Sequence, residues 1–260
     1  MTVYGVDFTS APRRAKPIVV AAGGVRASVL EIRALERLPG FEAFERLLRR
    51  PGPWVAGFDF PFGLPSELVR DLGWPRAWRR LAEFCAALSR REWRLVLDGY
   101  RASRPAGRKY AHRATDLPAG SSSPMKLVNP PVALMFHEGA RRLLASGAHL
   151  PLLAVGDRAR VALEAYPGPL ARSIVGRASY KSDDRARQTR ARSVRRAQIL
   201  SAIPVAVSNA LRREIIADPS GDSLDAVLCA VQAARAWRRR ARGFGLPRNI
   251  PSCEGWIAGA

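Results

Sequence analysis

The sequence predicts an α/β protein. Two separated apolar runs, Val3–Phe8 and Val55–Phe60, each carry a lone Asp next to their end. A Gly-Gly pair divides two further strand-like runs near the N-terminus, and the C-terminal third places apolar residues at helical spacing. Strands first and amphipathic helices later describe a sheet with helices packed on it.

Residues 2–8 read as the first strand. Residues 17–22 and 25–33 read as the next two, with Gly23-Gly24 placed where a two-residue hairpin would turn. Phe41, Phe44, Leu47 and Leu48 share one helical face, so residues 41–50 make a short helix that stops before Pro51. Residues 53–60 are the fourth strand. Trp74, Trp78, Leu81, Phe84 and Leu88 suggest a helix, residues 101–131 are rich in Gly, Pro, Ser and basic side chains, and residues 132–146 are helical again. The stretch 65–149 is therefore expected to be a helical and loop insertion in a single domain spanning 1–260. Residues 160–167 form a fifth strand closed by Pro167 and Pro169. Helices follow at 185–203 and 222–241, and the tail 247–257 closes against the core.

The chain has 260 residues, 47% of them apolar and 25% charged, the composition of a folded globular protein. No apolar run approaches the roughly 18 residues needed to span a bilayer, and the N-terminus begins directly as a strand. These features predict a cytoplasmic protein with no membrane association. Cys85, Cys229 and Cys253 are scattered, as are His112, His137 and His149, which argues against a zinc site or a disulfide framework.

Lys and Arg number 43 against 22 acidic residues, a formal charge of +21. Such an excess favours polyanionic partners, nucleic acid first among them. Two clusters stand out. Arg101, Arg104, Arg108, Lys109, His112 and Arg113 surround Tyr100 and Tyr110, and Arg185, Arg187, Arg190, Arg192, Arg195 and Arg196 follow Tyr180-Lys181. Either could track a phosphate backbone, and Lys126 could neutralise a single phosphate.

The chemistry is expected from carboxylates. An ionised Asp at the end of an apolar strand is costly unless it meets a partner, and here the arrangement occurs twice, at Asp7 and Asp59. Glu164 ends the fifth strand, and Asp222 and Asp225 open the last long helix. Hard divalent ions, Mg²⁺ or Mn²⁺, prefer such oxygen ligands and keep open positions for water and phosphate. On that helix Asp225 lies roughly 110° from the centre of the apolar stripe, at about 100° per residue. It can therefore border a core and face a cleft, whereas Asp222 lies nearly opposite the stripe and suits a helix-capping role.

The segments Gly5–Phe8 (G-V-D-F), Phe58–Pro65 (F-D-F-P-F-G-L-P), Leu163–Pro167 (L-E-A-Y-P), Asp222–Ala230 (D-S-L-D-A-V-L-C-A) and Glu254–Ile257 (E-G-W-I) together resemble a largely uncharacterised family of predicted nucleases with an RNase H-like fold. The helix motif is also similar to the last helix of RuvC-type resolvases. The resemblance implies a five-stranded mixed sheet flanked by helices. It also implies metal ligands at Asp7, Asp59 and Asp225, with Glu164 as an additional ligand and Asp222 at an accessory position. The expected activity is two-metal hydrolysis of phosphodiester bonds in DNA or RNA. Two alternatives are an ATP-binding phosphotransferase or ATPase of the actin-like relatives of that fold, and a non-catalytic nucleic-acid-binding protein. The first of these needs Gly-rich phosphate loops, yet Phe8-Thr9-Ser10-Ala11-Pro12 follows the first strand.

Overall fold

A computed structural model describes residues 1–260. Strands β1 (Thr2–Asp7), β2 (Ile18–Arg26) and β3 (Val29–Leu38) form an antiparallel meander. The turn between β2 and β3 is not at Gly23-Gly24. β2 runs through that pair and the chain reverses at Ala27-Ser28, both with positive φ, the backbone a tight hairpin needs. The glycines serve a different purpose: the pairing slips between Ala22 and Gly23, and a side chain at 23 would collide with the Glu31 carbonyl. The Gly pair thus marks a bulge, not a turn.

Helix α1 (Phe41–Leu48) buries Phe44, Leu47 and Leu48, and leads into β4 (Trp54–Asp59), which pairs in parallel with β1. Four helices and a short turn of helix then occupy most of 66–146: α2 (Ser66–Asp71), α3 (Trp78–Ala87), α4 (Arg90–Ser103), α5 (Asp116–Ala119) and α6 (Val132–Ser146). α4 begins in a capping box, Ser89 and Glu92 exchanging backbone bonds. This insertion has no core apart from the sheet. Trp78, Leu81, Trp93 and Phe136 share one apolar cluster with Tyr4, Val6, Trp54 and Phe58.

The second half supplies β5 (Ala148–His149), β6 (Asp157–Glu164), α7 (Pro167–Val175), α8 (Arg190–Ala202), β7 (Val205–Val207), α9 (Asn209–Ala217) and α10 (Asp222–Arg238). The result is a mixed sheet of seven strands in the order β5-β6-β4-β1-β2-β3-β7, flanked by helices on both faces. The sequence predicts five. The two extra strands, of two and three residues at the sheet edges, are too short to show a period-two signal. β6 also starts before residue 160 and stops at Glu164, because Pro167 opens α7 at its first turn instead of ending a strand. The tail does close on the core: Ile257 bridges to Glu164, and the Ala258 N–H donates to the Glu164 carbonyl at 2.9 Å.

Strand alternation divides the sheet's two faces. Tyr4, Val6, Trp54, Ala56 and Phe58 point to the insertion side, whereas Val3 and Val55 point to the side covered by α7, α8 and α10. Gly5 and Gly57 lie on that second face, directly paired across β1 and β4. There α10 rests on the strand backbones: a Cβ at Gly5 would overlap the Ala226 carbonyl and the Ala230 amide, and one at Gly57 would overlap the Cys229 carbonyl. The helix is buried nearly all round, including Leu224, Ala226, Val227, Cys229, Ala230 and Ala233, as expected for a helix laid between layers. Gly5→Ala should therefore destabilise the fold by about 3 kcal/mol, the upper range for forced overpacking. Gly99→Ala on α4, where a Cβ meets nothing within 4 Å, should stabilise by about 0.5–1 kcal/mol. Urea unfolding of both variants checks the pair; equal effects would contradict the packing described for α10.

A buried acidic centre at the strand ends

The Gly-x-Asp spacing explains how the centre is built. With a period of two, Asp7 projects on the same face as Gly5, and Asp59 on the same face as Gly57. The parallel register places Gly5 beside Gly57 and Asp7 beside Asp59. The same helix that needs the glycines carries Asp225 one turn from its start. Carboxylate oxygens of Asp7, Asp59 and Asp225 consequently lie within 4.8 Å of one another. Three acids distant in sequence meet at one point, as the sequence predicts for this trio.

Their environments differ. Asp225 is fully buried and both its oxygens are engaged, one by the Tyr180 hydroxyl and the other by the Lys181 ammonium. Asp7 and Asp59 accept no hydrogen bond from the protein, although Asp7 is only 8% exposed. Burial first, and then repulsion from Asp222 and Asp225, raise the Asp7 carboxyl well above its ordinary range. Burial and repulsion from Asp225 push Asp59 up to about 7. Asp225 is also raised, by burial, against the pull of Lys181. Burial opposes the charge on Lys181, yet Asp225 and its neighbours more than offset it, so the ammonium is held charged. Carboxylates without donors, Asp7 buried and Asp59 half-buried, open to a cleft, are a donor set suited to a hard cation.

Asp222 stands beside this trio but outside it. It is 7% exposed, not turned away to solvent as the helix-wheel reading has it, and Lys16 reaches both its oxygens at 3.0 Å. The wheel fails because α10 is covered on every side.

Glu164 stands outside the close trio. β4 and β6 pair Phe58 with Glu164, so Glu164 shares the face of Phe58, opposite to that of Asp59. A one-residue difference in phase sends the side chain to the other side of the sheet. There its two oxygens accept from Arg113 at 2.7 and 2.8 Å and from the Phe62 amide at 2.9 Å. Arg113 also binds Asp116 at 2.9 Å and the Glu254 carbonyl at 3.0 Å. Glu254 in turn accepts from the Ser66 and Ala114 amides. This network ties the Phe58–Pro65 segment, the insertion and the tail together. Its acids are engaged by internal partners, although Glu164 and Arg113 also border the cleft that opens over the trio.

The basic clusters are likewise partly internal. Arg113 is 2% exposed. Arg101 pairs with Asp98, Arg104 with Glu67, and Lys109 with the Arg104 carbonyl. In the second cluster Arg196 is 4% exposed and donates to the Tyr180 and Ile216 carbonyls, while Arg195 donates to the Ser179 carbonyl. These arginines hold the backbone that delivers Tyr180 and Lys181 to Asp225. Tyr180 and Lys181 are the site residues that sequence reading overlooks, since nothing local marks them.

A cleft of about 950 Å³ opens over the centre. Asp7, Asp59, Asp222, Asp183 and Glu164 line it, with Lys16, Lys181, Arg113, Arg172 and Arg177 as its cations, and Phe60, Pro61 and Tyr166 on its walls. Lys126 is not part of the lining. Gln232 of α10 clamps the Tyr166 backbone at 2.9 and 3.0 Å, and Arg172 stacks over its ring. None of Arg185, Arg187, Arg190 and Arg192 reaches the cleft. No helix is long and apolar enough to cross a membrane.

Fold and site together define an α/β protein with a buried acidic centre at the ends of two parallel strands. Residues 5–248 match the family model described as Protein of unknown function (DUF429), and the chain belongs to that family. No curated protein and no solved structure matches it.

Two outcomes follow from the electrostatics. Asp59 titrates near 7 when folded and near the ordinary carboxylate value of about 3.9 when unfolded. Between those values the folded form holds protons that the unfolded chain releases, so stability is full below about 4 and falls as pH rises through about 7. Without added metal, the melting temperature should drop between about pH 5 and about pH 8. Asp59→Asn should flatten the drop, and a flat wild-type profile would refute the assigned burial. Glu164→Gln should instead lower stability by about 3 kcal/mol, as for a broken buried ion pair, while leaving Mn²⁺ affinity by calorimetry within about twofold. A loss of ten- to a hundredfold, the scale expected for a residue supporting a metal, would return Glu164 to the site.

Proposed function

We propose that this protein is a divalent-cation-dependent nuclease, with Asp7, Asp59 and Asp225 as the acids of the catalytic centre. One observation carries the reading: three carboxylates converge where two paired parallel strands end beneath a helix, and two of them have no partner within the protein. The topology supports it. The five long strands run in the order β6-β4-β1-β2-β3, and β2 alone runs against the others, an arrangement resembling the RNase H-like fold. The acids then occupy the first strand, the fourth strand and the last helix, as the resemblance to predicted nucleases implies.

Asp7 and Asp59 would hold Mg²⁺ or Mn²⁺, and Asp225 would complete the set. The bound cation supplies Lewis-acid polarisation of a phosphoryl oxygen and an acidified water. The chain's own groups do the rest. Tyr180 and Lys181 keep Asp225 in one rotamer, and Arg172 and Arg177 on the wall suit phosphate oxygens. Tyr166, fixed by Gln232 and backed by Arg172, offers a ring on which a base can stack. The net charge of +21 adds long-range attraction for a polyanion.

Purified protein with Mn²⁺ or Mg²⁺, challenged with single-stranded, duplex, branched and hybrid DNA and RNA, tests the reading. Cleavage should require the metal and fall by about 100-fold or more in Asp7→Asn and Asp59→Asn, the scale of losing one transition-state stabiliser. Cleavage that survives both substitutions would place the chemistry elsewhere. Metal binding with no cleavage of any substrate would defeat the nuclease assignment.

A further inference from the structure

We infer that Lys181 fills the second cation position of the acidic centre, so that the site takes a single divalent ion with a fixed ammonium beside it. The inference rests on the reading of the centre as a metal site and departs from the two-ion expectation for such acids.

The geometry divides the trio unevenly. Lys181 donates to one oxygen of Asp225 and Tyr180 to the other, so Asp225 has both oxygens engaged within the protein. Asp7 and Asp59 have none engaged. A cation entering the centre therefore finds its open ligands on the strand side, while the helix side already holds a positive charge. Two ions sharing a carboxylate cluster of this kind sit about 4 Å apart, and the Lys181 ammonium stands within one hydrogen bond of the acid that would hold the second.

The Lys181 side chain is 41% exposed, yet its position is fixed. The backbone around it is anchored on both sides: Arg196 and Arg195 grip the carbonyls of Tyr180 and Ser179, and the Ser182 amide donates to the Pro219 carbonyl at 3.1 Å. The Lys181 stem lies against Gly221, at the N-cap of the helix that carries Asp225. Lys16 pairs with Asp222 and with the exposed Asp183, so Lys181 is the cation held against the trio itself. A second divalent ion at Asp225 would force two cations together.

Mn²⁺ alone is the probe, read by calorimetric stoichiometry and by electron paramagnetic resonance of the bound ion. The wild-type protein should bind one Mn²⁺ per chain and give the signal of an isolated ion. Lys181→Met, with its fold checked by circular dichroism, should bind two and show spin coupling between them. Lys181→Arg should stay at one, which keeps the test open if the Met variant fails to fold. Two coupled ions in the wild type, or a single ion in a folded Lys181→Met, would overturn the inference while leaving the metal site standing. No Mn²⁺ bound to the folded wild type would overturn the metal reading itself.

Discussion

The contact on which the rest depends is between backbones: α10 lies directly on β1 and β4 at Gly5 and Gly57. No side chain separates helix from sheet there, so the helix start is drawn down to the level of the strand ends. A single methyl at either glycine would lift the helix. Because Asp7 and Asp59 follow their glycines by two residues, the face that admits the helix is also the face on which the acids stand. Packing and site share one cause.

Bringing acids together in this way is expensive, and the surroundings show how the expense is contained. Asp225 is given two donors and Asp222 a lysine, while Asp7 and Asp59 remain without a partner and resist ionisation. On the other face of the sheet, Glu164, Asp116 and Glu254 form a closed network around Arg113. The two acid groups border one cleft but differ in kind. One is fully satisfied and holds segments together; the other is left open toward a cleft, the arrangement expected where a protein keeps binding capacity in reserve.

Much of this was legible in the sequence, and the failures share a form. The repeated apolar run ending in a lone Asp located two of the three acids, and the position of Asp225 beside the apolar stripe of its helix located the third. Strand-end position alone did not show that Glu164 pairs with Arg113, because its phase relative to Asp59 depends on the β4–β6 register, which no local pattern reveals. Asp222 was misjudged by a helix wheel that presumes one exposed face, which α10 lacks. Lys181 and Tyr180 carry no local signal at all: they reach the centre through arginines on α8, whose density reads from sequence as a surface for polyanions. Gly23-Gly24 misled for a related reason, since a bulge and a turn call for the same residue.

The central claim is that Asp7, Asp59 and Asp225 form a cation site. The anomalous difference map of a crystal grown with Mn²⁺ tests it most directly. A peak is expected within bonding distance of the Asp7 and Asp59 carboxylates, beneath the first turn of α10. A map in which those two carboxylates bind nothing while Mn²⁺ sits elsewhere in the molecule would contradict it.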